Sequence, residues 1–555
     1  MEKITVLKIL KLKLNIALPL LGLFGLINGL WSSSLLMLIS NKVAGTPLPF
    51  FSDYDWLIYL VLVLVSFVLT YYFKRYMIKV TLNFGKEMTL QIINKLRLCN
   101  YESYLRIGEA RVRTAMSDVG TLEGLPEAFI AFFNAIIMMI AGIGYMLWLY
   151  PKGAVLIIIL IVSLGFVYVR RNEAIEKSMD EERSLDDSFM ENYNDFLHGF
   201  NKIKMSSKRS HSIYFDHIVK NRSAAIKLNI KAELASFGNE LIGQYFFYLI
   251  IGTVLFLLPV IFDLDQIVIS GFMVAFLFLM GPITICINLM KNFIGFKIAF
   301  DRINEFNEIT SGNIKDSDLE KSSENPLPIF ENLLIKELSY NHIDKHGLVT
   351  FELKPITLKI KKGEIIFISG GNGSGKSTFI NLLSGLYVPK SGEIILNDTI
   401  VIAKENRSDY RDMISCIFSD NYLFSENYDD FDLLPSNENL TELLNKMKLE
   451  EIIRPDVANN KIFQNLSSGQ KKRLGLIYSL LENKDIFIFD EWAAEQDPEF
   501  RKYFYESIIP ELKSRGKTVI AITHDDAYFS FCDRLIKFNY GTMIDQEILF
   551  STALV

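Results

Sequence analysis

Five residues carry side chains suited to moving a phosphoryl group: Lys376, Ser377, Asp490, Glu491 and His524. Lys376 and Ser377 close the run IIFISGGNGSGKST at 365–378. It contains G-x-x-x-x-G-K-[ST] as Gly370, Gly371, Asn372, Gly373, Ser374, Gly375, Lys376 and Ser377, with Thr378 next. An apolar strand before the loop and a helix after it is the context in which backbone N–H groups turn inward around phosphate oxygens. The lysine then places a point charge on the β- and γ-phosphates and the serine offers its hydroxyl to Mg²⁺. The helix N-terminus adds partial positive charge. A second run, IFIFDE at 486–491, reads as a buried strand ending in two carboxylates. Asp490 stands where a Mg²⁺-organising acid is needed, and Glu491 where a general base would polarise water. Alone this is weak, since many strands end in acids. NLSSGQKKR at 465–473 and VIAITHD at 519–525 complete the set. A single histidine after a strand, such as His524, is most often structural.

These residues need a rigid α/β frame. Strand-like and helix-like stretches alternate after position 328, with 358–360 and 365–368 as strands and 376–386 as a helix. Before them, SGNIKDSDLEKSSENPLP at 311–328 has linker composition: polar, with Gly and two Pro and no apolar period. The expected division is a helical domain at 1–310, a linker at 311–328 and an ATP-binding domain at 329–555.

The first 300 residues differ in kind. Half of the 555 residues are hydrophobic and 22% are charged, but the clustering is what discriminates. Six uncharged apolar runs, 14–40, 56–73, 128–150, 153–169, 241–262 and 266–289, are each of the order needed to cross a ~30 Å hydrocarbon core. An ordinary cytosolic enzyme, a disordered chain and a collagen-like chain are excluded. The basic start, with Lys3, Lys8, Lys11 and Lys13, precedes a run too long for a signal peptide, and no cleavage site follows it. It reads as an uncleaved anchor.

Loop charge sets the orientation. Loops after spans two and four hold Lys74, Arg75, Lys86, Arg97, Arg106, Arg111, Arg170, Lys202, Lys208 and Lys220. The loops on the other side hold only Lys42 and Lys152 as basic residues. The basic loops, both termini and everything after span six are therefore expected in the cytosol. Segments 181–197 and 210–232 are polar and poor in breakers, so the spans should continue as helices into the cytosol. Tips at 101–108 and 202–212 stand ready to touch a cytosolic domain, unless they are simply solvated hairpins. The spans carry no charge, which argues against a proton-driven carrier. Their neutral polar groups include Asn134, Gln244 and Asn288; their aromatics include Tyr245, Phe246, Phe247, Tyr248, Phe272, Phe276 and Phe278. Such aromatics face lipid or pack more often than they bind cargo.

Net charge is −6, from 58 Lys and Arg against 64 Asp and Glu, with no basic stripe for nucleic acid. Cys99, Cys286, Cys416 and Cys532 are too scattered for a zinc or redox motif and read as reduced thiols.

The order P-loop, LSSGQ, DE and His resembles the nucleotide-binding domain of ABC transporters, and the six spans resemble the transmembrane domain of ABC exporters. The resemblance covers nearly the whole chain. It implies a six-helix transmembrane domain of ABC exporter type fused to a cytosolic α/β P-loop ATPase domain, with ATP and Mg²⁺ as cofactors. It also implies roles. Tyr340 looks like the aromatic that stacks on adenine. Ser467, Ser468, Gly469 and Gln470 look like the signature loop that reaches ATP held by a second subunit. His524 looks like the γ-phosphate switch, and Asp497 like the residue that couples the two sites.

Three departures stand out. Ser419 falls where glutamine is expected as an indirect Mg²⁺ contact. Ser468 replaces the usual glycine. WAAEQDP at 492–498 replaces the commoner run after the catalytic acid. DEWAAEQDPEFRKYFY at 490–505, with LSSGQKKRLGL at 466–476 and HDDAYF at 524–529, resembles the cyclic-peptide and siderophore exporters. That family includes exporters of a pyoverdine precursor, of syringomycin-type lipopeptides and of a lasso-peptide microcin. The expectation is an ATP-driven homodimeric exporter of peptide-like cargo, multi-pass in the bacterial inner membrane. A lipid flippase on the same scaffold and a non-pumping ATP-gated regulator are the alternatives.

Overall fold

A computed structural model describes residues 54–314, 327–344, 347–453 (save 421, 425, 433 and 435) and 466–547, with scattered positions between 27 and 43. The chain divides into two compact units, 1–97 with 107–311 and 98–106 with 312–555.

The first unit is helical. Its long elements are α1 (Asp55–Leu98), α2 (Glu109–Glu123), α3 (Leu125–Leu149), α4 (Pro151–His198), α5 (Lys220–Gly252) and α6 (Gln266–Ile314). At 1.5 Å per residue, the 48 residues of α4 extend about 70 Å, more than twice the thickness of a hydrocarbon core. The spans thus continue as helices far beyond the apolar run. Among the described residues five helices are long and apolar enough to cross a membrane: Trp56–Leu98, Glu109–Leu149, Pro151–His198, Ser207–Phe262 and Gln266–Thr310. The expected run 14–40 lies largely outside the described residues, as does most of the expected linker. Trp31, one of its described positions, donates its indole N–H to Leu62 O at 3.0 Å.

Apolar packing and ion pairs hold this unit. Phe247, Ile250, Val254, Phe272, Phe276 and Leu279 are buried in one cluster joining α3, α4, α5 and α6. In the polar extensions charge pairs replace them: Arg183 meets Asp118 at 3.2 Å and Arg302 meets Asp187 at 3.2 Å. Arg222 pairs with Asp186 at 2.8 Å while its guanidinium lies 4.2 Å over the Phe189 ring. Two π-helical turns, Ser212–Val219 and Thr253–Leu257, flank α5.

The second unit contains two sheets. β1 (Asn332–Ile343), β2 (Val349–Lys361), β4 (Ser391–Leu396) and β5 (Ile400–Val401) form an antiparallel sheet in the order β2-β1-β4-β5. β3 (Ile365–Gly370), β6 (Ile414–Ile417), β7 (Ile486–Asp490), β8 (Thr518–Ile522), β9 (Arg534–Asn539) and β10 (Thr542–Glu547) form the other, in the order β10-β9-β3-β8-β7-β6. β9, β3, β8, β7 and β6 are mutually parallel. Every residue of β7 and β8 is buried, which is why they read as continuous apolar runs. Helices α7 (Lys376–Leu383), α8 (Ser468–Glu482) and α9 (Pro498–Tyr503) belong to this unit. The short helix Tyr101–Ile107 contributes residues 101–106 to it.

Candidate nucleotide-binding site

In an open parallel sheet, ligands bind beyond the carboxyl ends of the strands. β3, β8 and β7 are neighbours, and their carboxyl ends deliver Gly370, Thr523–His524 and Asp490–Glu491 to one edge. β6 adds to it. Ile417 is in register with Phe489, so Ser419, exposed two residues further on, emerges beside Glu491.

The loop between β3 and α7 needs its glycines. Gly370 has φ of 148° and a Cβ there would lie 2.4 Å from Phe538 O. Gly375 has φ of 105° and its Cβ would meet the Phe351 ring at 2.8 Å. The Lys376 side chain is folded into the loop, its ammonium 2.9 Å from Gly370 O and 3.1 Å from Gly371 O, with the residue only 6% exposed. A buried cation held by two carbonyl dipoles favours an anion beside it. Ser374 Oγ is buried without a hydrogen-bond partner among the described residues. These groups fit a polyphosphate, and they lie at the N-terminus of α7 where its partial charge is positive.

Ser377 hydrogen-bonds Asp490 across the loop. Burial raises the Asp490 carboxyl above the usual aspartate range, and Glu491 adds to this; Lys376, Ser377 and Lys472 oppose it. Ser377 and Asp490 thus converge as two hard oxygen donors, the ligand type that suits Mg²⁺.

Glu491 takes a left-handed backbone, φ 52° and ψ 34°, a conformation that costs an L-residue roughly 1–2 kcal/mol. Its N–H is held by Ile522 O at 3.2 Å. The turn carries its carboxylate past the strand end, to 3.2 Å from His524 Nε2. His524 is therefore paired with the candidate base.

Ser467 caps α8. Its hydroxyl accepts from Gln470 N at 3.3 Å, and Gln470 Oε1 accepts from Ser467 N at 2.9 Å. This reciprocal capping box fixes the start of the helix, with Ser468, Gly469 and Gln470 in its first turn.

The unusual 490–505 run has a physical role. Trp492 is fully buried and donates its indole N–H to Lys472 O at 2.8 Å; Gln496 Nε2 reaches Gly469 O at 3.4 Å. The strand end that carries Glu491 is thereby tied to α8. Asp497 caps α9, accepting from Phe500 N at 3.0 Å. Arg501 pairs with Asp525 at 3.2 Å, and the Tyr505 hydroxyl donates to Asp525 at 3.1 Å and contacts Thr523 at 2.5 Å. Trp492, Gln496, Arg501 and Tyr505 were not singled out individually from sequence. Their partners lie on other elements, and only the shared run hinted at them.

Tyr340, expected on adenine, lies on β1. Its ring stacks on Tyr387 with centroids 4.9 Å apart, and its hydroxyl donates to Glu102.

Comparison with known proteins bears on these observations. Residues 353–494 match the family model described as ABC transporter. Over 412 residues the chain is 31% identical to the ATP-binding protein SyrD of Pseudomonas syringae pv. syringae, spanning 73% of this chain and 72% of that one. It is 36% identical over 202 residues to the energy-coupling factor transporter ATP-binding protein EcfA1 of Mesomycoplasma hyopneumoniae, spanning 35% of this chain and 73% of that one. A solved structure of a bacterial Atm1-family ABC exporter with ATP bound has the same fold, with a TM-score of 0.76 over 95% of this chain and 94% of that chain at 13% identity.

Proposed function

Because the chain belongs to the ABC transporter family and is an ATPase transporter of that family, we propose that it exports a peptide-like secondary metabolite. The cargo class is a cyclic peptide, a lipopeptide or a siderophore precursor. The protein works as a homodimer in the bacterial inner membrane, with both termini cytosolic. The observation that carries the cargo class is the 490–505 run. That run resembles the one in cyclic-peptide and siderophore exporters, and Trp492, Gln496, Arg501 and Tyr505 are all hydrogen-bonded or ion-paired around the site.

The mechanism follows from the residues. The loop from Gly370 to Thr378 holds the phosphates of ATP, with the Lys376 ammonium at the β/γ position. Ser377 and Asp490 would hold Mg²⁺, with Ser419 near enough to act through water, and the ion would neutralise phosphate charge. Glu491 accepts the proton of the attacking water. His524, 3.2 Å from that carboxylate, orients it and faces the γ-phosphate. Ser467, Ser468, Gly469 and Gln470 of one copy close on ATP held by the other. Asp497, in the run after Glu491, is the candidate for coupling the two sites. ATP binding favours the closed pair and an outward-open cavity, and hydrolysis returns the equilibrium.

The uncharged spans also suit lipid, which keeps a flippase as the second reading. A non-pumping regulator is disfavoured by the intact Glu491–His524 pair. The test is ATPase activity in lipid nanodiscs with candidate cargos added. Stimulation by cyclic peptides or acylated peptides supports export of that class; stimulation by phospholipid alone refutes it.

A further inference from the structure

His524 and Glu491 face each other at 3.2 Å, yet their side chains are 47% and 37% exposed, so packing fixes neither of them. Their aim has to come from the backbone on either side. Thr523 and Asp525, the neighbours of His524, are held in a closed ring of hydrogen bonds. Asp525 N donates to Thr523 Oγ1 at 3.0 Å, the Thr523 and Tyr505 hydroxyls lie 2.5 Å apart, and Tyr505 donates to Asp525 Oδ2 at 3.1 Å. Each hydroxyl can donate once and accept once around that ring, and such linked bonds strengthen one another.

Tyr505 belongs to the π-helical turn Phe504–Ile508 that follows α9. It is 1% exposed, with its ring stacked on Tyr528 at 4.5 Å and edge-on to Phe367 of β3 at 5.7 Å. Core packing therefore fixes the hydroxyl, and burial raises its pKa, so it stays a donor.

Arg501 lies four residues earlier, on the same helix face. Its Nη1 donates to Asp525 Oδ1 at 3.2 Å. Its Nη2 donates to Ala494 O at 3.3 Å and to Gln496 O at 3.4 Å. Both carbonyls belong to the short turn that follows Glu491. One guanidinium thus spans the turn after the candidate base and the loop after the candidate histidine.

We propose that Arg501 and Tyr505 are positioning residues, which clamp Asp525 to the turn after Glu491 and so set the distance between the Glu491 carboxylate and the His524 imidazole. Both act through their neighbours and not on the nucleotide. A planar guanidinium can hold a carboxylate and two carbonyls at once, and the compact ammonium of lysine has no such fork. Their role rests on Glu491 and His524 being the hydrolytic pair of the ATP site.

Full-length protein in nanodiscs tests this. Steady-state phosphate release gives kcat and KM, and calorimetry with a β,γ-imido analogue of ATP gives affinity. Tyr505→Phe keeps the packed ring and Arg501→Lys keeps the charge. Arg501→Lys should lower kcat about 10-fold, short of the ~10²-fold that a 1 Å misplacement can cost. Tyr505→Phe should lower it about 5-fold, the scale of one hydrogen bond. KM and analogue affinity should stay unchanged in both. In single-turnover assays on a His524→Ala background, neither change should cost anything further, because groups that act as a unit are not additive. Wild-type kcat in both variants would overturn the proposal. The same fold-losses without His524 would overturn it too, as would a parallel loss of analogue affinity, either of which would make the clamp a prop for the domain at large. Wild-type turnover in His524→Ala itself would refute the hydrolytic pair, and the clamp's role with it.

Discussion

Glu491 Oε1 and His524 Nε2 lie 3.2 Å apart, although 33 positions separate them. Adjacent parallel strands β7 and β8 create the pairing, since Asp490 is in register with Ile522. The left-handed turn at Glu491 then swings its carboxylate toward the residue that follows Thr523. Glu491→Gln removes the base and keeps the shape. ATP binding should persist, while hydrolysis falls ~10²-fold or more, the scale of general-base assistance. Steady-state phosphate release beside nucleotide retention measures both. Near-wild-type turnover would remove Glu491 from the catalytic role.

Lys376 and Ser467 occur in the same chain, yet each is proposed to act on ATP shared with a second copy. Lys376→Ala homodimers and Ser467→Arg homodimers should both be inactive. Their mixture should regain activity, because each heterodimer has one site with both halves intact. A mixture no more active than either parent would show that one intact site is insufficient or that the sites are not shared.

Ser419 emerges beside Glu491 from β6, exposed. Its hydroxyl is shorter than a glutamine side chain, so the role proposed for it is a water-mediated contact to Mg²⁺. Losing such a contact costs about 1 kcal/mol, or 5–10-fold. Ser419→Ala should lower ATPase activity by that factor and raise the Mg²⁺ concentration needed for half-maximal rate. An identical Mg²⁺ dependence would leave Ser419 without a role, and complete loss of activity would mean a direct one.

Trp492 links two functional elements through its 2.8 Å bond to Lys472 O. Trp492→Phe keeps much of the buried ring and leaves that carbonyl unsatisfied, at a cost of ~1–3 kcal/mol. Chemical denaturation should show that loss. Turnover should fall with little change in ATP affinity, because the phosphate loop is untouched. A stability unchanged within error would mean that water replaces the indole.

That Gly370, Asp490 and His524 would share one sheet edge was legible because it follows from local pattern. Fully buried parallel strands read as apolar runs, and the functional residues follow each run directly, at Gly370, Asp490 and His524. The long helical continuations of the apolar runs were legible from polar stretches without breakers. What escaped depends on distant chain. The tip at 101–108 was expected to dock, but not on what: Glu102 meets Tyr340 across 238 positions, and no periodicity names that partner. Register in the β1–β2 hairpin, rather than residue type, brings His342 to Thr378. The π-helical turn at Ser212–Val219 also carries no breaker to announce it.

ATP-driven export of peptide-like cargo is measured most directly in proteoliposomes. The ATPase domains face outward, and three fluorescent probes are offered: a cyclic lipopeptide, an acylated siderophore precursor and a short-chain phospholipid. At least one peptide probe should accumulate inside only when Mg²⁺ and ATP are supplied, and Glu491→Gln should abolish the accumulation. ATP-dependent movement of the phospholipid alone, or of none of the three while ATP is hydrolysed, would contradict it.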